Sequence, residues 1–197
     1  MGRPREFDVD DATARATEVF WSRGYEGASI PDLVAATGVQ RGSLYAAYGS
    51  KHALYLAALD RYQVQASAPM ARALHRVLQE GVPVRNAVRE LLLGLVDQAV
   101  SDPERRGCLM VNAITERAAC DRDVARRGLA AMTGMTEAFT DLLRVAQDRG
   151  ELPAARDPVA IARFLVLTVQ GLRVAGVADP QHSHLSAAVE VAVAAVQ

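Results

Sequence analysis

The residues with the most specific spacing lie at positions 29–51, where capping residues, a glycine turn and two cations follow one another. Ser29 has the side chain of a helix N-cap, and Asp32 stands three residues further on. Gly38 suits the left-handed backbone of a tight turn, and a second short helix is predicted at about 40–47. Two short helices joined in this way, packed on a longer first helix, form a helix-turn-helix pattern.

The cysteines and histidines are the other side chains that could do chemistry. Cys108 follows Arg105 and Arg106, and nearby cations and a helix N-terminus both favour the thiolate form of a cysteine. A thiol that senses oxidants or electrophiles is therefore one hypothesis for Cys108, and a small buried hydrophobe is the alternative. His182 and His184 lack cysteine or acidic partners at ligand spacing, so we predict no metal site and no cofactor.

Composition excludes several classes of protein. The 197 residues include 23 acidic and 22 basic side chains, so a globally basic nucleic-acid binder and a disordered polyelectrolyte are both excluded. No secretion leader opens the chain, and no apolar run reaches the roughly 18 residues that a membrane span needs. No Ser-His-Asp arrangement, phosphate-binding glycine loop or paired carboxylates are evident. We therefore expect a cytoplasmic binding protein with no membrane partner, and not an enzyme.

Apolar residues recur with a period of about 3.6 from end to end, and strand signals are nearly absent. We therefore predict an all-α chain of about nine helices. The predicted helices lie at about 8–23, 30–36, 40–47, 50–80, 84–99, 104–119, 121–149, 158–177 and after Ser183.

The stretch SIPDLVAATGVQRGSLYAAYGSK at 29–51 closely resembles the DNA-binding signature of the TetR family of transcriptional repressors. The preceding VFWSRGY at 19–25 resembles the same signature, and looser similarity to one subgroup of regulators continues at 106–112, 149–153 and 169–173. The resemblance spans nearly the whole chain and is strongest in the first 55 residues.

The resemblance implies a homodimer with two domains in each chain. Residues 1–50 would form a three-helix helix-turn-helix domain, and residues 51–197 a larger helical domain for ligand binding and dimerisation. A small molecule bound in the larger domain would shift helix four and change the separation of the two recognition helices. The implied partners are a double-stranded DNA operator, a small-molecule effector and a second copy of the chain.

The family's recognition helix maps to 40–48. Arg41 and Tyr45 are four residues apart and share a face, and arginine can form a bidentate pair with guanine. Lys51 and the start of helix two suit phosphate contacts. The plain alternatives are a solvated charge for Arg41, a packing residue for Tyr45, a cap for Ser29, and a disordered tail for Arg3 and Arg5. The predicted DNA contacts are Arg3, Arg5, Ser29, Gln40, Arg41, Gly42, Ser43, Tyr45 and Lys51.

The predicted DNA-binding region is not basic overall, because residues 1–51 contain six basic and seven acidic side chains. Affinity for DNA must therefore come from local placement of a few cations, and we expect a moderate dependence on salt. A dimer would read two half-sites about one helical turn apart, so the operator should be near-palindromic.

The larger region has soft apolar residues interrupted by a few polar groups, which is typical of a pocket for a mainly apolar ligand. The predicted ligand-binding residues are Met110, Asn112, Met132, Met135, Phe139, Phe164, Leu167, Thr168 and Gln170. Core packing is the alternative for each of them.

The last helix is apolar all round, and a chain of this size has little room to bury it completely. We therefore predict that the last two helices form a dimer interface. Its predicted residues are Leu165, Val169, Leu172, Leu185, Ala188, Val189, Ala192, Val193 and Val196.

The features together favour a ligand-responsive transcriptional repressor. The alternative from a different class is a helical ligand-binding or assembly protein that no longer binds specific DNA. Activation in place of repression also stays open, as do the operator sequence, the effector and the regulated genes.

Overall fold

The computed structural model describes residues 7–197, and within them the chain forms nine α-helices and no β-strand. The prediction of an all-α chain of about nine helices is confirmed. Arg3 and Arg5 lie outside the described residues. The helices are α1 (Val9–Gly27), α2 (Ile30–Thr37), α3 (Arg41–Tyr48), α4 (Lys51–Glu80), α5 (Val84–Ser101), α6 (Leu109–Arg117), α7 (Arg122–Asp148), α8 (Pro158–Ala178) and α9 (His182–Ala194).

Short polar side chains start several of these helices, as their sequence positions predicted. The carboxylate of Asp8 accepts hydrogen bonds from the first amides of α1, and Asp157 accepts one from the amide of Val159 at the start of α8. These bonds satisfy donors that have no partner within the helix.

α6 begins later than predicted. We expected a helix from about Glu104, but the first helical residue is Leu109. The carboxylate of Asp102 accepts a hydrogen bond from the amide of Glu104, and this local bond competes with helix formation. Arg105 (φ 49°) and Gly107 (φ 66°) then adopt left-handed backbone, which a right-handed helix cannot include.

α1 is broken near its end by Gly24, which has φ 70° and ψ −179°. The sequence predicted that Gly24 would stop this helix, and the break is at that residue. The peptide amides just after Gly24 therefore have no helical carbonyl to bond.

The chain divides into two compact units, each with its own internal contacts. The first unit comprises the chain up to Gln65 together with Cys108–Gly128, and the second comprises Ala66–Gly107 and Leu129–Gln197. The first unit thus contains α6 as well as the helix-turn-helix segment. Our functional division at residue 50 stays a prediction, and it falls within the first unit.

The core of the second unit is built by α5, α7, α8 and α9 together with the second half of α4. α5 packs on both α8 and α9. Its approach to α8 is close, because a Cβ atom at Gly176 would lie only 2.6 Å from the Cβ of Ala99. The residues at the centre of this core include Val77, Leu92, Val96, Leu142, Leu143, Leu165, Val189 and Val193.

The predicted dimer-interface residues lie mostly in this core. Ala188 is exposed, but the other eight are at most 5% exposed in a single chain. α9 is apolar on both sides, and its sequence does not show which side faces its own chain. The interface itself stays a prediction. The eight core residues are Leu165, Val169, Leu172, Leu185, Val189, Ala192, Val193 and Val196.

A different set of apolar side chains on α8 and α9 is exposed. These residues form what we call the outer face: Phe164, Leu167, Val174, Val177 and Val191, which are 38–71% exposed. Phe164 and Leu167 were predicted to line a ligand pocket; their side chains are exposed in the single chain, and their role in a pocket stays a prediction.

α8 is long and apolar enough to cross a membrane by length and composition alone, with a mean hydropathy of 1.5. Its inward side lies in the core of the second unit, with Leu165 and Val169 among the buried residues. The other side belongs to the outer face. Packing on one side and an uncovered apolar surface on the other account for its composition.

Candidate DNA-binding surface

α3 is attached to the protein by one side and exposed on the other. Leu44 is buried beneath it, and the hydroxyl of Tyr48 donates to the carbonyl oxygen of Val9 at 3.0 Å. The same hydroxyl lies 2.8 Å from the hydroxyl of Thr13 on α1. These contacts fix the rotation of α3. The residues left exposed include four of the predicted DNA contacts, Arg41, Gly42, Ser43 and Tyr45.

Arg41 and Tyr45 form a pair on this exposed side. The guanidinium carbon of Arg41 lies 5.5 Å from the centroid of the Tyr45 ring, as their spacing of one helical turn allows. No carboxylate among residues 7–197 forms an ion pair with Arg41. The guanidinium is therefore free to bind an external acceptor such as guanine O6 and N7.

Gly42 lies beside this pair in the first turn of α3. A Cβ atom built at Gly42 would meet no other atom within 4 Å, and its backbone is helical. The fold does not require glycine at this position, where glycine costs about 1 kcal/mol relative to alanine. The missing side chain does leave room for another molecule to approach the backbone closely. Gln40, the N-cap of α3, makes no side-chain capping bond.

Ser29 forms a complete capping box with Asp32 at the start of α2. The Ser29 hydroxyl accepts from the amide of Asp32 at 3.2 Å, and the Asp32 carboxylate accepts from the amide of Ser29 at 2.9 Å. Hydrogen bonds from Ser29, and then the ion pair with Arg23, hold the pKa of Asp32 below its usual value. This geometry favours the capping role for Ser29, because a phosphate here would meet a carboxylate.

Lys51 begins α4 directly after α3. Its ammonium lies 4.3 Å from the centroid of the Tyr25 ring, and it makes no ion pair with a carboxylate in residues 7–197. The Ser50 hydroxyl accepts a hydrogen bond from the amide of Ala53 at 3.0 Å, which caps this helix. Within residues 7–197, Lys51 is therefore a second cation without a carboxylate partner, three residues after Tyr48 ends α3.

α6 joins this unit through contacts that the sequence analysis missed. The carboxylate of Glu116 accepts hydrogen bonds from the amides of Tyr25 and Glu26, each at 2.9 Å, just after the break at Gly24. Arg117 forms an ion pair with Glu26, and its guanidinium carbon lies 4.4 Å from the Tyr25 ring centroid. The predicted end of the first helix at about residue 23 indicated that free amides follow it, but nothing local indicated which residue would bond them.

His52 and Asp121 form a hydrogen-bonded pair within this unit, with Nε2 and Oδ2 2.8 Å apart. Asp123 lies close enough that the three side chains could in principle surround a metal ion. Asp121, however, already accepts bonds from the amides of Asp123 and Val124 and from Arg117. The oxygens of Asp121 are thus used by the protein itself, and we interpret the cluster as structural.

Asp121→Asn is expected to lower the free energy of unfolding at neutral pH by on the order of 1–2 kcal/mol, since charged hydrogen bonds are lost. Burial alone would raise the pKa of Asp121, but hydrogen bonds from Val124 and His52 outweigh it and the pKa is lowered. The stabilisation is therefore present above the pKa of the unfolded chain and is lost as pH falls through the folded value.

Urea unfolding at several pH values measures this effect. The difference between the wild-type protein and Asp121→Asn should shrink below about pH 4. Asp148→Asn, at an exposed position of α7, is the matched control and should behave like wild type. A difference that stays constant down to pH 2 would contradict the assignment.

The predicted effector residues fall into different parts of the chain. Met110 is buried and Asn112 partly buried in α6, within the first unit. In the second unit, Phe139 is a core residue and Met132 and Met135 pack against that core. Thr168 and Gln170 are partly buried on α8. Two of the nine thus belong to the first unit and the other seven to the second.

Cys108 is 3% exposed and caps α6 without a side-chain hydrogen bond, whereas Cys120 is exposed. Burial of Cys108 agrees with the alternative to thiol sensing, in which this side chain is a small buried hydrophobe. The sensing hypothesis stays an untested prediction.

A helical chain that presents an unpaired arginine on the second helix of a helix-turn-helix has the architecture of a DNA-binding transcription factor. The family described as "Bacterial regulatory proteins, tetR family" matches residues 12–58, and the family described as "Tetracyclin repressor-like, C-terminal domain" matches residues 84–192. The chain belongs to the TetR family of bacterial transcriptional regulators, as the resemblance of its N-terminal segment predicted.

Individual relatives agree with this assignment. The HTH-type transcriptional repressor ComR of Escherichia coli is 32% identical over 88% of this chain and 81% of its own length. The uncharacterized HTH-type transcriptional regulator YezE of Bacillus subtilis is 36% identical over 84% of each protein. A cysteine mutant of the TetR family regulator CifR, solved with 26-bp double-strand operator DNA, is 36% identical over 98% of each chain, with a TM-score of 0.82.

Proposed function

We propose that the protein is a homodimeric repressor that binds a near-palindromic operator and leaves it when a small, mainly apolar effector binds. The observation that carries the proposal is the exposed Arg41–Tyr45 pair on α3, whose guanidinium has no carboxylate partner within residues 7–197. In this role the protein acts by binding and not by catalysis, in the cytoplasm where its DNA lies.

Relatives support the DNA-binding part of this proposal. CifR was solved in complex with operator DNA, and ComR is named a repressor. By analogy, α3 of each subunit lies in the major groove, where Arg41 reads guanine and Tyr45 and Ser43 offer hydroxyl groups. Lys51 contacts a phosphate, and the missing side chain of Gly42 lets the backbone approach the duplex.

The outer face of α8 and α9 is the surface that we assign to dimerisation. Five large apolar side chains are exposed there, and a groove of about 380 Å³ is lined mostly by other residues of α8 and α9. Thr168, Gly171, Ala175 and Ala188 are among the residues that line this groove, so two copies could approach closely. An uncovered apolar patch of this kind on a regulator that needs two half-sites fits a second copy of the same chain.

Gln170 supports an effector site within the second unit. Its Oε1 atom is buried and accepts no hydrogen bond from another residue within 7–197. A buried acceptor of this kind needs a donor from outside the chain. We therefore propose that the effector is mainly apolar, that it packs against Met132, Met135 and Phe139, and that it donates one hydrogen bond to Gln170.

Gln170→Met is expected to raise the midpoint of thermal unfolding in the absence of effector, because it replaces an unpaired buried acceptor by an apolar group of similar volume. The cost of such an acceptor is about 1–3 kcal/mol. The same substitution should weaken release from DNA by the effector. Gln98→Met, at an exposed position of α5, is the control and should change neither property. A less stable Gln170→Met protein would argue against an unpaired acceptor.

A reporter fused to the DNA that flanks the gene tests the proposed repression directly. Expression of the protein should lower reporter output, and Arg41→Ala should restore it. Raised output on expression of the protein would mean activation. Unchanged output would favour the helical ligand-binding or assembly protein that the sequence left open.

A further inference from the structure

Lys51 is the only lysine in the chain, and its position is constrained by a ring. A lysine side chain is long and flexible, so an unrestrained ammonium samples many positions. Here the ammonium lies 4.3 Å from the centroid of the Tyr25 ring, within the range of a cation–π contact. No carboxylate among residues 7–197 pairs with Lys51. Within these residues, the Tyr25 ring is therefore the contact that holds the Lys51 ammonium in place.

The Tyr25 ring is itself held by the core of the same unit. It stacks on Phe20 with a centroid distance of 6.4 Å and an interplanar angle of 15°, and its centroid lies 4.9 Å from that of Tyr55. Phe20 and Tyr55 are each at most 1% exposed. Burial is the main reason that the pKa of Tyr25 is raised, so the phenol is neutral at physiological pH. The ring is therefore a fixed, uncharged platform.

α6 holds the backbone and the ring of Tyr25 at the same time. Glu116 accepts from the amides of Tyr25 and Glu26, and the Arg117 guanidinium lies 4.4 Å from the ring centroid. Two cations beside one ring repel each other, so Arg117 must be neutralised for Lys51 to stay. Arg117 has ion pairs with Glu26 and Asp121. The charges of α6 thus permit the contact between Lys51 and Tyr25.

We propose that Tyr25 is a positioning residue that holds the ammonium of Lys51 ready for a DNA phosphate, and that Glu116 and Arg117 of α6 set this position. The inference rests on the proposed function, in which Lys51 contacts phosphate. A pre-positioned ammonium loses less conformational freedom when DNA binds, and affinity is higher as a result. A change in α6 would then alter DNA affinity through Lys51, with no change in α3.

The test compares Tyr25→Leu, Tyr25→Phe and Lys51→Gln in the full chain, by titrating a fluorescent operator duplex over a series of salt concentrations. Lys51→Gln should lower affinity and reduce the slope of log K against log salt by about 0.9 per subunit. Tyr25→Leu should reduce the slope in the same way, with a several-fold loss of affinity. Tyr25→Phe keeps the ring and should match wild type. Tyr25→Leu combined with Lys51→Gln should bind no more weakly than Lys51→Gln alone.

The outcomes separate this inference from the proposed function. If Lys51→Gln leaves the slope unchanged, Lys51 contacts no phosphate, and both the contact and its positioning are overturned. If Lys51→Gln lowers the slope but folded Tyr25→Leu does not, only the inference about Tyr25 is overturned. A general loss of packing would weaken binding without changing the slope, and that result would also overturn it.

Glu116→Gln tests the role of α6 in positioning Lys51. Because this substitution removes no core side chain, it tests the proposal even if Tyr25→Leu fails to fold. Its DNA affinity and salt slope should move toward those of Lys51→Gln, and it should have no further effect when combined with Lys51→Gln. Glu137→Gln, at an exposed position of α7, is the matched control and should bind like wild type. Wild-type affinity and slope for Glu116→Gln would overturn the role of α6.

Discussion

Arg41→Ala is expected to abolish specific operator binding while the protein stays folded. A bidentate pair with guanine is worth about 1–3 kcal/mol, and a dimer makes the contact once in each half-site. The expected loss is therefore about 2–6 kcal/mol, roughly a 30- to 20,000-fold rise in Kd. Stability should change little, because among residues 7–197 the Arg41 guanidinium has one described contact, with the exposed Tyr45 ring. Such a contact contributes about 0.5–1 kcal/mol.

Fluorescence anisotropy with an operator duplex and a random duplex at one salt concentration measures the effect. Affinity for the operator should fall toward that for the random duplex, since sequence reading is lost. Arg72→Ala removes an exposed arginine of α4 outside α3 and controls for the change of charge. Equal operator affinity for Arg41→Ala and Arg72→Ala would exclude Arg41 as the base-reading residue.

Val191→Asp is expected to convert the dimer into a folded monomer. Val191 is 71% exposed on α9, so the substitution disturbs no core packing. In the proposed dimer a carboxylate at this position would be desolvated without a partner in each subunit, at a cost of several kcal/mol. The dimer Kd should rise by about 100-fold or more. Operator affinity should fall with it, because a monomer occupies one half-site only.

Sedimentation equilibrium over a range of protein concentrations measures this Kd, and circular dichroism checks the fold. Leu129→Asp introduces the same charge at a position of α7 that is 68% exposed, and it should leave the dimer intact. A Val191→Asp protein that dimerises like wild type would show that the outer face is not the interface. Dissociation of both variants would point to a general effect of charge.

Local sequence signals predicted most of the helices, because each depends on a few neighbouring residues. The capping box at Ser29, the break at Gly24 and the proline start of α8 all act within one turn. The predicted start of α6 was wrong because of another local interaction. The side chain of Asp102 bonds the backbone that follows it, and the periodicity of apolar residues does not register that competition.

Faces and long-range contacts were harder to predict. α9 is apolar on two sides, and only packing against α5 and α8 decides that Val189 is buried while Val191 is exposed. The hydrogen bond that the amide of Tyr25 donates to the carboxylate of Glu116 joins residues that are 91 positions apart. A single sequence contains no signal for such a pair. By contrast, the exposure of Arg41 and Tyr45 follows from their helical spacing and from the buried Leu44 between them.

We propose that the chain is a dimeric, sequence-specific DNA-binding regulator. The most direct test titrates the purified full chain onto DNA from the region flanking its own gene, against a random duplex of equal length, and determines how many chains each duplex binds. We predict tight binding of two chains per duplex, weakened by salt and far stronger than binding to the random duplex. Equal binding to both duplexes by a folded, dimeric protein, with no fragment enriched in a genomic selection, would contradict the claim.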